Sequence, residues 1–230
     1  MLPTFHTENF AVFDDFLPDE RLAGLQRYMR AEKFSYAKNV SYRNDLFRIF
    51  HGDPLRGPGL YDRHPDPSKP GALYPTGSAM DAVVDALVNA EDTLAPWTGK
   101  RGEDWDFLSA TPFLYPRDSG LAWHDDAADR AASYVFYAHE EWRPTWGAEL
   151  LIATDLGRGE ARVVPPQTAL NADVGHYVAP LPNRLVVLKS GTPHMVKRVD
   201  PNAGENVRSS VAGFFQPFPA DVSEVTRGGR

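Results

Sequence analysis

Two histidines and an aspartate in the second half of the chain, His124, Asp126 and His194, have the types and order of a metal site. Two imidazoles and one carboxylate can hold a divalent iron on one face and leave three coordination positions free. Downstream, Arg208 and Ser210 stand at an i, i+2 spacing that places both on one side of an extended segment. A guanidinium fork matches a carboxylate in a bidentate way that a lysine cannot. An arginine paired with a nearby hydroxyl is therefore suited to the far carboxylate of an acid cosubstrate. If Arg208 points inward without a carboxylate partner, its burial requires an anionic guest or a neighbouring Asp or Glu.

Short motifs of this kind recur by chance in a chain with 7 histidines. Besides His124/Asp126, the sequence holds His51/Asp53, His64/Asp66 and the related pair His139/Glu141. The first two fall in a stretch crowded with Pro54, Pro58, Pro65, Pro67, Pro70 and Pro75. Metal ligands need a stiff frame, because coordination distances tolerate only about 0.2 Å of error. His124/Asp126 follows a strand that ends at Tyr115-Pro116 and precedes one that starts at Ser133, which favours it over the others. His194 opens a further strand after the turn Ser190-Gly191-Thr192-Pro193, so frame and order agree.

The elements that must position these residues can be read in outline. Leu22, Leu25, Tyr28 and Met29 recur at helical spacing after Pro18, a residue suited to a first helical turn. A second helix is expected from Ser78, with Ser78 and Asp81 as a capping pair and Met80, Val83, Val84, Leu87 and Leu94 as its apolar face. Both stripes read as faces packed on a sheet. A strand is expected at Phe10–Phe13. Beyond Trp105 short strands follow closely: 107–115, 133–139, 150–154, 162–164, 176–179, 185–189, 194–199 and 207–215. Many short strands separated by turns point to a sandwich or barrel, and helices in front of strands suggest an α+β, mainly β fold. The Pro/Gly-rich stretch 51–77 reads either as a lid or as an irregular crossover.

Composition bounds the rest. A chain of 230 residues, 42% hydrophobic and 12% aromatic, can bury a core as one domain spanning 1–230. Its expected parts are helical support with a possible lid over 1–104 and a β core over 105–218. A net charge of −7 with no basic run argues against nucleic-acid binding. With no cysteine, disulfides and thiolate metal sites are excluded. No secretory signal and no run of roughly 18 apolar residues is visible, so a soluble cytoplasmic protein is expected. Oligomeric state is not legible.

The segment from about Phe113 to Phe215 resembles the prolyl-4-hydroxylase-like branch of the iron(II)/2-oxoglutarate-dependent dioxygenases. Tyr115-Pro116 and Gly120 before Trp123-His124-Asp125-Asp126 are similar to the family's Tyr-Pro…Gly…His-x-Asp segment. Tyr134 to Tyr137 with Glu141-Trp142, and Trp146-Gly147-Ala148-Glu149-Leu150, resemble the next strand and a Gly-Gly-x-Leu turn in which alanine replaces the second glycine. Pro182 to Leu188, His194-x-Val196 and Arg208-x-Ser210 complete the pattern.

This resemblance implies a double-stranded β-helix (jelly roll) with N-terminal helices packed on one sheet. It implies His124, Asp126 and His194 as iron ligands and catalytic residues. Arg208 and Ser210 would hold 2-oxoglutarate, with Tyr137 as a further donor, Tyr115 lining the site, and Arg198 as a rival for the carboxylate. The interval between His194 and Arg208 is longer than the family's and reads as an extended hairpin loop. The implied cofactors are iron(II), 2-oxoglutarate and dioxygen, with ascorbate as an optional addition. The implied reaction is hydroxylation of an unactivated C–H bond of an amino acid, small metabolite or prolyl residue, releasing succinate and CO2. Asp126 fills a position that is small in related halogenases, which favours hydroxylation over halogenation. Trp123, His139 and Trp142 are candidates for shaping the pocket. Another cupin metalloenzyme and a non-catalytic jelly-roll binding module are the competing readings.

Overall fold

The computed structural model describes residues 1–37, 50–63, 71–126, 130–153 and 175–218. In chain order the strands of the N-terminal part are β1 (Phe5–His6), β2 (Phe10–Phe13), β3 (Ser35–Tyr36), β4 (Phe50–His51), β5 (Leu55–Arg56), β6 (Leu60–Tyr61) and β7 (Ala72–Leu73). The helices are α1 (Asp19–Ala31), α2 (Asp81–Asn89) and α3 (Glu91–Thr98). The C-terminal part contains β8 (Phe107–Tyr115), β9 (Gly120–His124), β10 (Ala132–Tyr137), β11 (Leu150–Ala153), β12 (Gly175–Val178), β13 (Leu185–Lys189), β14 (His194–Val196) and β15 (Arg208–Gln216). Among the described residues no helix is long and apolar enough to cross a membrane.

The strands form two sheets. The larger runs β1-β2-β13-β10-β15-β8-β5-β3, with β6 and β7 attached to β8. The smaller runs β12-β11-β14-β9-β4. Both are antiparallel apart from the parallel β6–β7 pair. This mainly-β pair of sheets with three helices is the jelly roll implied by the resemblance.

Alternation explains why the central strands are apolar at nearly every position. In β2, Phe10 and Val12 face the smaller sheet, while Ala11 and Phe13 face the helices. In β13, Val186 and Leu188 face the smaller sheet, and Leu185 and Val187 face the helices. Side chains at i and i+2 share a face, so a sheet covered on both sides reads as an unbroken apolar run. The helix-facing core holds Leu25 and Met29 of α1, Val83, Val84 and Leu87 of α2, and Leu94 and Trp97 of α3. Burying a side chain of this size contributes about 1.5–3 kcal/mol.

Several expectations change at their edges. The second helix is two helices, α2 and α3, which meet at Ala90. Asp81 does not close back on Ser78; its carboxylate accepts the Thr76 and Gly77 N–H groups at 2.9 and 2.7 Å, while Ser78 Oγ accepts Met80 N–H. The described part of 51–77 forms short strands: β4 joins β9, and β5 and β6 join β8. Pro112 sits inside β8 because only its donor is missing; its carbonyl accepts the Gly57 N–H at 2.9 Å. The interval 197–207 is not a hairpin. β14 belongs to the smaller sheet and β15 to the larger, so this segment crosses between them. It is anchored by the Gly147–Val199 bridge and by Ala203 buried with Trp142 and Trp146. The strand expected at 162–164 lies outside the described residues.

Candidate metal and cosubstrate site

β9 and β14 are neighbours in the smaller sheet, and their register sets His124 directly opposite His194. The sequence contains little β-branched character in Gly120-Leu121-Ala122-Trp123-His124, and pairing with β14 on one side and β4 on the other makes it a strand. Gly120 permits the close approach: a Cβ there would lie 2.7 Å from the Val196 carbonyl oxygen. Asp126 follows two residues beyond the end of β9, and its carboxylate stands beside the rings of His124 and His194.

The donor atoms of His124, Asp126 and His194 all lie within 4.8 Å of one another. Each histidine is oriented by its own backbone. Nδ1 of His124 lies 2.8 Å from the Ala122 carbonyl, and Nδ1 of His194 lies 2.8 Å from the Thr192 carbonyl. Those contacts assign the ring proton to Nδ1 and leave each Nε2 lone pair facing the carboxylate, at 3.9 Å for His124 and 3.5 Å for His194. Backbone-bonded imidazoles with free Nε2 atoms around one acid match the outer-shell arrangement that divalent metal sites require. Burial, reinforced by the charge of His194, lowers the His124 pKa to about 4, so the ring is neutral and available as a ligand at neutral pH. Burial would raise the Asp126 carboxyl, but His194, His124, Ser133 and Arg130 together hold it below the ordinary value. These residues fit a divalent iron.

A second cluster lies on the larger sheet. Arg208 is 1% exposed, and its guanidinium is held between the rings of Tyr115 and Tyr137, with Cζ 4.9 Å from each centroid. Its NH1 donates to Ser210 Oγ at 3.2 Å. Among the described residues it has no carboxylate partner, and Arg208 Nε and the Tyr137 hydroxyl are both buried without a hydrogen-bond partner. Burial raises the Tyr115 hydroxyl to about 12 and raises Tyr137 as well, against the pull of Arg208. Both phenols therefore stay protonated and able to donate. A buried cation beside orphaned donors is costly when empty and complementary to a carboxylate.

A cavity of about 640 Å³ joins the two clusters, lined by His124, Asp126, His194, Tyr115, Arg208 and Ser210 among others. Trp123 lines it as expected. His139 and Trp142 do not: their rings lie tilted against each other with centroids 5.0 Å apart, and His139 is fixed between the carbonyls of Pro180 and Ser209. Arg198, the rival of Arg208, is exposed and lies 3.4 Å from His51 Nδ1. Of the other His-x-acid pairs, His51 is half-buried in β4 while Asp53 is exposed, Glu141 binds Arg143, and His64/Asp66 lies outside the described residues. Phe50, Arg56, Thr111, Phe113, Arg130 and Phe214 also line the cavity, and sequence reasoning did not single them out. For Phe214 a signal existed: it shares the alternation of Arg208 and Ser210 along β15.

The family model of the 2OG-Fe(II) oxygenase superfamily matches residues 111–216, the segment that carries both clusters. Through that segment the chain is similar to the 2OG-Fe(II) oxygenase superfamily. Solved structures share the fold. A Pseudomonas putida prolyl-4-hydroxylase is 20% identical with a TM-score of 0.62, covering 91% of this chain and 94% of that one. A prolyl hydroxylase from Trichoplax adhaerens, in complex with a hypoxia inducible factor oxygen degradation domain peptide fragment, is 16% identical with a TM-score of 0.57 over 97% and 89%. HygX from Streptomyces hygroscopicus, with nickel and 2-oxoglutarate bound, is 11% identical with a TM-score of 0.56 over 91% and 83%. Among curated sequences, none matches the chain significantly.

Proposed function

We propose that His124, Asp126 and His194 hold the iron, that Arg208 and Ser210 hold the distal carboxylate of 2-oxoglutarate, and that the enzyme hydroxylates a small molecule. The observation that carries this reading is a buried Arg208, without an acidic partner among the described residues, in the same cavity as the triad. The Tyr137 hydroxyl donates to the same carboxylate, and Tyr115 closes the other face of the guanidinium. When bound, iron(II) with 2-oxoglutarate and dioxygen supplies oxidative decarboxylation to succinate and CO2 and oxidation of an unactivated C–H bond. The chain orients both acids, keeps His124 neutral, and lines part of the cavity with the apolar side chains of Leu121, Val135, Leu188 and Val196.

The cavity size is that of a small-molecule site, which supports an amino acid or small metabolite. Structural likeness to prolyl hydroxylases keeps a prolyl residue as the second reading. Asp126 occupies the carboxylate position and supports hydroxylation over halogenation. The test is anaerobic addition of 2-oxoglutarate to the iron(II)-loaded protein, followed by succinate formation with a substrate panel of free amino acids and prolyl peptides. A visible charge-transfer absorption and substrate-dependent succinate are expected for the wild type, and neither for Asp126→Ala. Full activity in Asp126→Ala would refute the ligand assignment.

A further inference from the structure

Once the triad and the Arg208 cluster are assigned, the cavity still contains cations that the proposed function does not use. Arg130 is the more informative. Its guanidinium stacks on Phe214, with Cζ 3.6 Å from the ring centroid. Among the described residues its buried Nε has no hydrogen-bond partner, and its one ionic contact is NH1 to Asp126 Oδ1 at 3.5 Å. That is well beyond the 2.7–2.9 Å of a charge-assisted hydrogen bond. The fork is thus fixed in orientation by an aromatic platform while its hydrogen-bonding capacity is left open.

Its position separates it from the cosubstrate cluster. Arg208 and Phe214 both face inward on β15, six residues apart, which is roughly 20 Å along a strand. Asp126 meets Arg130 at the Phe214 end. The cavity therefore has a guanidinium toward each end with the triad reached from both. Arg56, exposed on β5, lines the same cavity and forms no ion pair among the described residues. Among the described residues Asp125 is the lining carboxylate outside the triad, and it is exposed. In a chain of net charge −7, two arginines in one cavity that make no close carboxylate hydrogen bond among the described residues mark it for an anion.

We infer that Arg130 is the specificity-determining residue that receives a carboxylate of the primary substrate, so that the substrate is a small organic acid. This rests on the proposed function, in which Arg208 takes the carboxylate of 2-oxoglutarate. The guanidinium would hold the acid on the side of the triad away from Arg208, with Phe214 against its apolar part.

The experiment measures binding. Free amino acids and hydroxy acids, each paired with its primary amide, are titrated by ligand-detected NMR against the metal-free chain and against the chain loaded with nickel(II) and 2-oxoglutarate. Wild type, Arg130→Gln and Arg130→Lys are compared, with circular dichroism checking their fold. At least one acid is expected to bind wild type on the order of 10-fold or more tighter than its amide, the scale of a charged hydrogen bond. That preference should vanish in Arg130→Gln and be partly kept in Arg130→Lys, with 2-oxoglutarate affinity unchanged in both. An acid preference that survives in Arg130→Gln, or its absence in wild type, overturns the inference. So does a loss of 2-oxoglutarate affinity in Arg130→Gln, which would make Arg130 a cosubstrate residue. An equal loss of acid and amide binding together with nickel affinity would reduce Arg130 to a support for Asp126, and also overturns it. Failure of wild type to bind 2-oxoglutarate would sink the proposed function instead, and the acid–amide comparison on the metal-free chain would still decide Arg130.

Discussion

Arg208 shows how a single side chain can be costly in isolation and useful in context. Its charge is buried between two tyrosines and its Nε has no partner among the described residues, so the free protein carries a desolvation penalty that a bound carboxylate offsets. Arg208→Lys keeps the charge and loses the planar fork. The KM for 2-oxoglutarate should rise by roughly 10-fold or more, as expected when a charged hydrogen bond worth about 1.5–3 kcal/mol is lost. Steady-state succinate assays read this directly, and an unchanged KM would move the carboxylate elsewhere. His139 makes a pH prediction. Its ring is buried between two backbone carbonyls, with Nε2 2.6 Å from Pro180 O and Nδ1 3.3 Å from Ser209 O. Burial lowers its pKa from 6.5 to about 4, against the pull of those carbonyls and with the help of Arg208. Because the folded value is below the unfolded one, the stability it contributes is present above about pH 6.5 and is lost as pH falls toward 4. Urea unfolding at pH 7 and pH 5 should differ by about 2 kcal/mol from this group. His139→Asn should flatten the dependence, and an equally steep profile would assign it to other groups.

At the scale of elements, the site depends on how closely β9 approaches β14. Gly120 lies against the Val196 carbonyl, and His124 sits opposite His194 four residues further along β9. Gly120→Ala places a methyl carbon 2.7 Å from that oxygen, and the strands must part to relieve it. The expected cost is about 1–3 kcal/mol of stability, with nickel(II) affinity weakened although no ligand has been changed. Thermal melts and a metal titration test this together; normal metal affinity in a destabilised variant would show that the ligands do not depend on the strand spacing. Ala148 stands at another special position. It is buried and left-handed, with φ 61°, where the resemblance expects a glycine. Its methyl packs with Trp142 and Trp146, and that contact offsets the unfavourable backbone conformation.

Across the whole molecule, the two sheets carry different parts of the proposed site. The smaller sheet supplies the two histidines, and the larger supplies Arg208, Ser210 and both tyrosines. A metal bridging residues of β9, its extension and β14 binds the folded state alone. Nickel(II) at 100 times its dissociation constant should add about 2.7 kcal/mol to stability. A chelator-reversible rise in melting temperature is the expected reading, and it should be absent in His194→Ala. A rise of equal size in that variant would place the metal at another site.

The order and spacing of His124, Asp126, His194, Arg208 and Ser210 were legible in the sequence, as were strands such as 107–115 and 185–189, because both depend on local alternation and residue type. Three features were not. The strand character of Gly120–His124 comes from its partners β14 and β4. The crossing of 197–207 between sheets follows from which strands β14 and β15 pair with. The gathering of Arg130 and Phe214 in one cavity depends on chain segments more than 80 positions apart. Local sequence determines which side chains can do chemistry and which face each takes on its own strand; only long-range strand pairing, driven by burial of both faces of the larger sheet, decides which of those faces share a cavity.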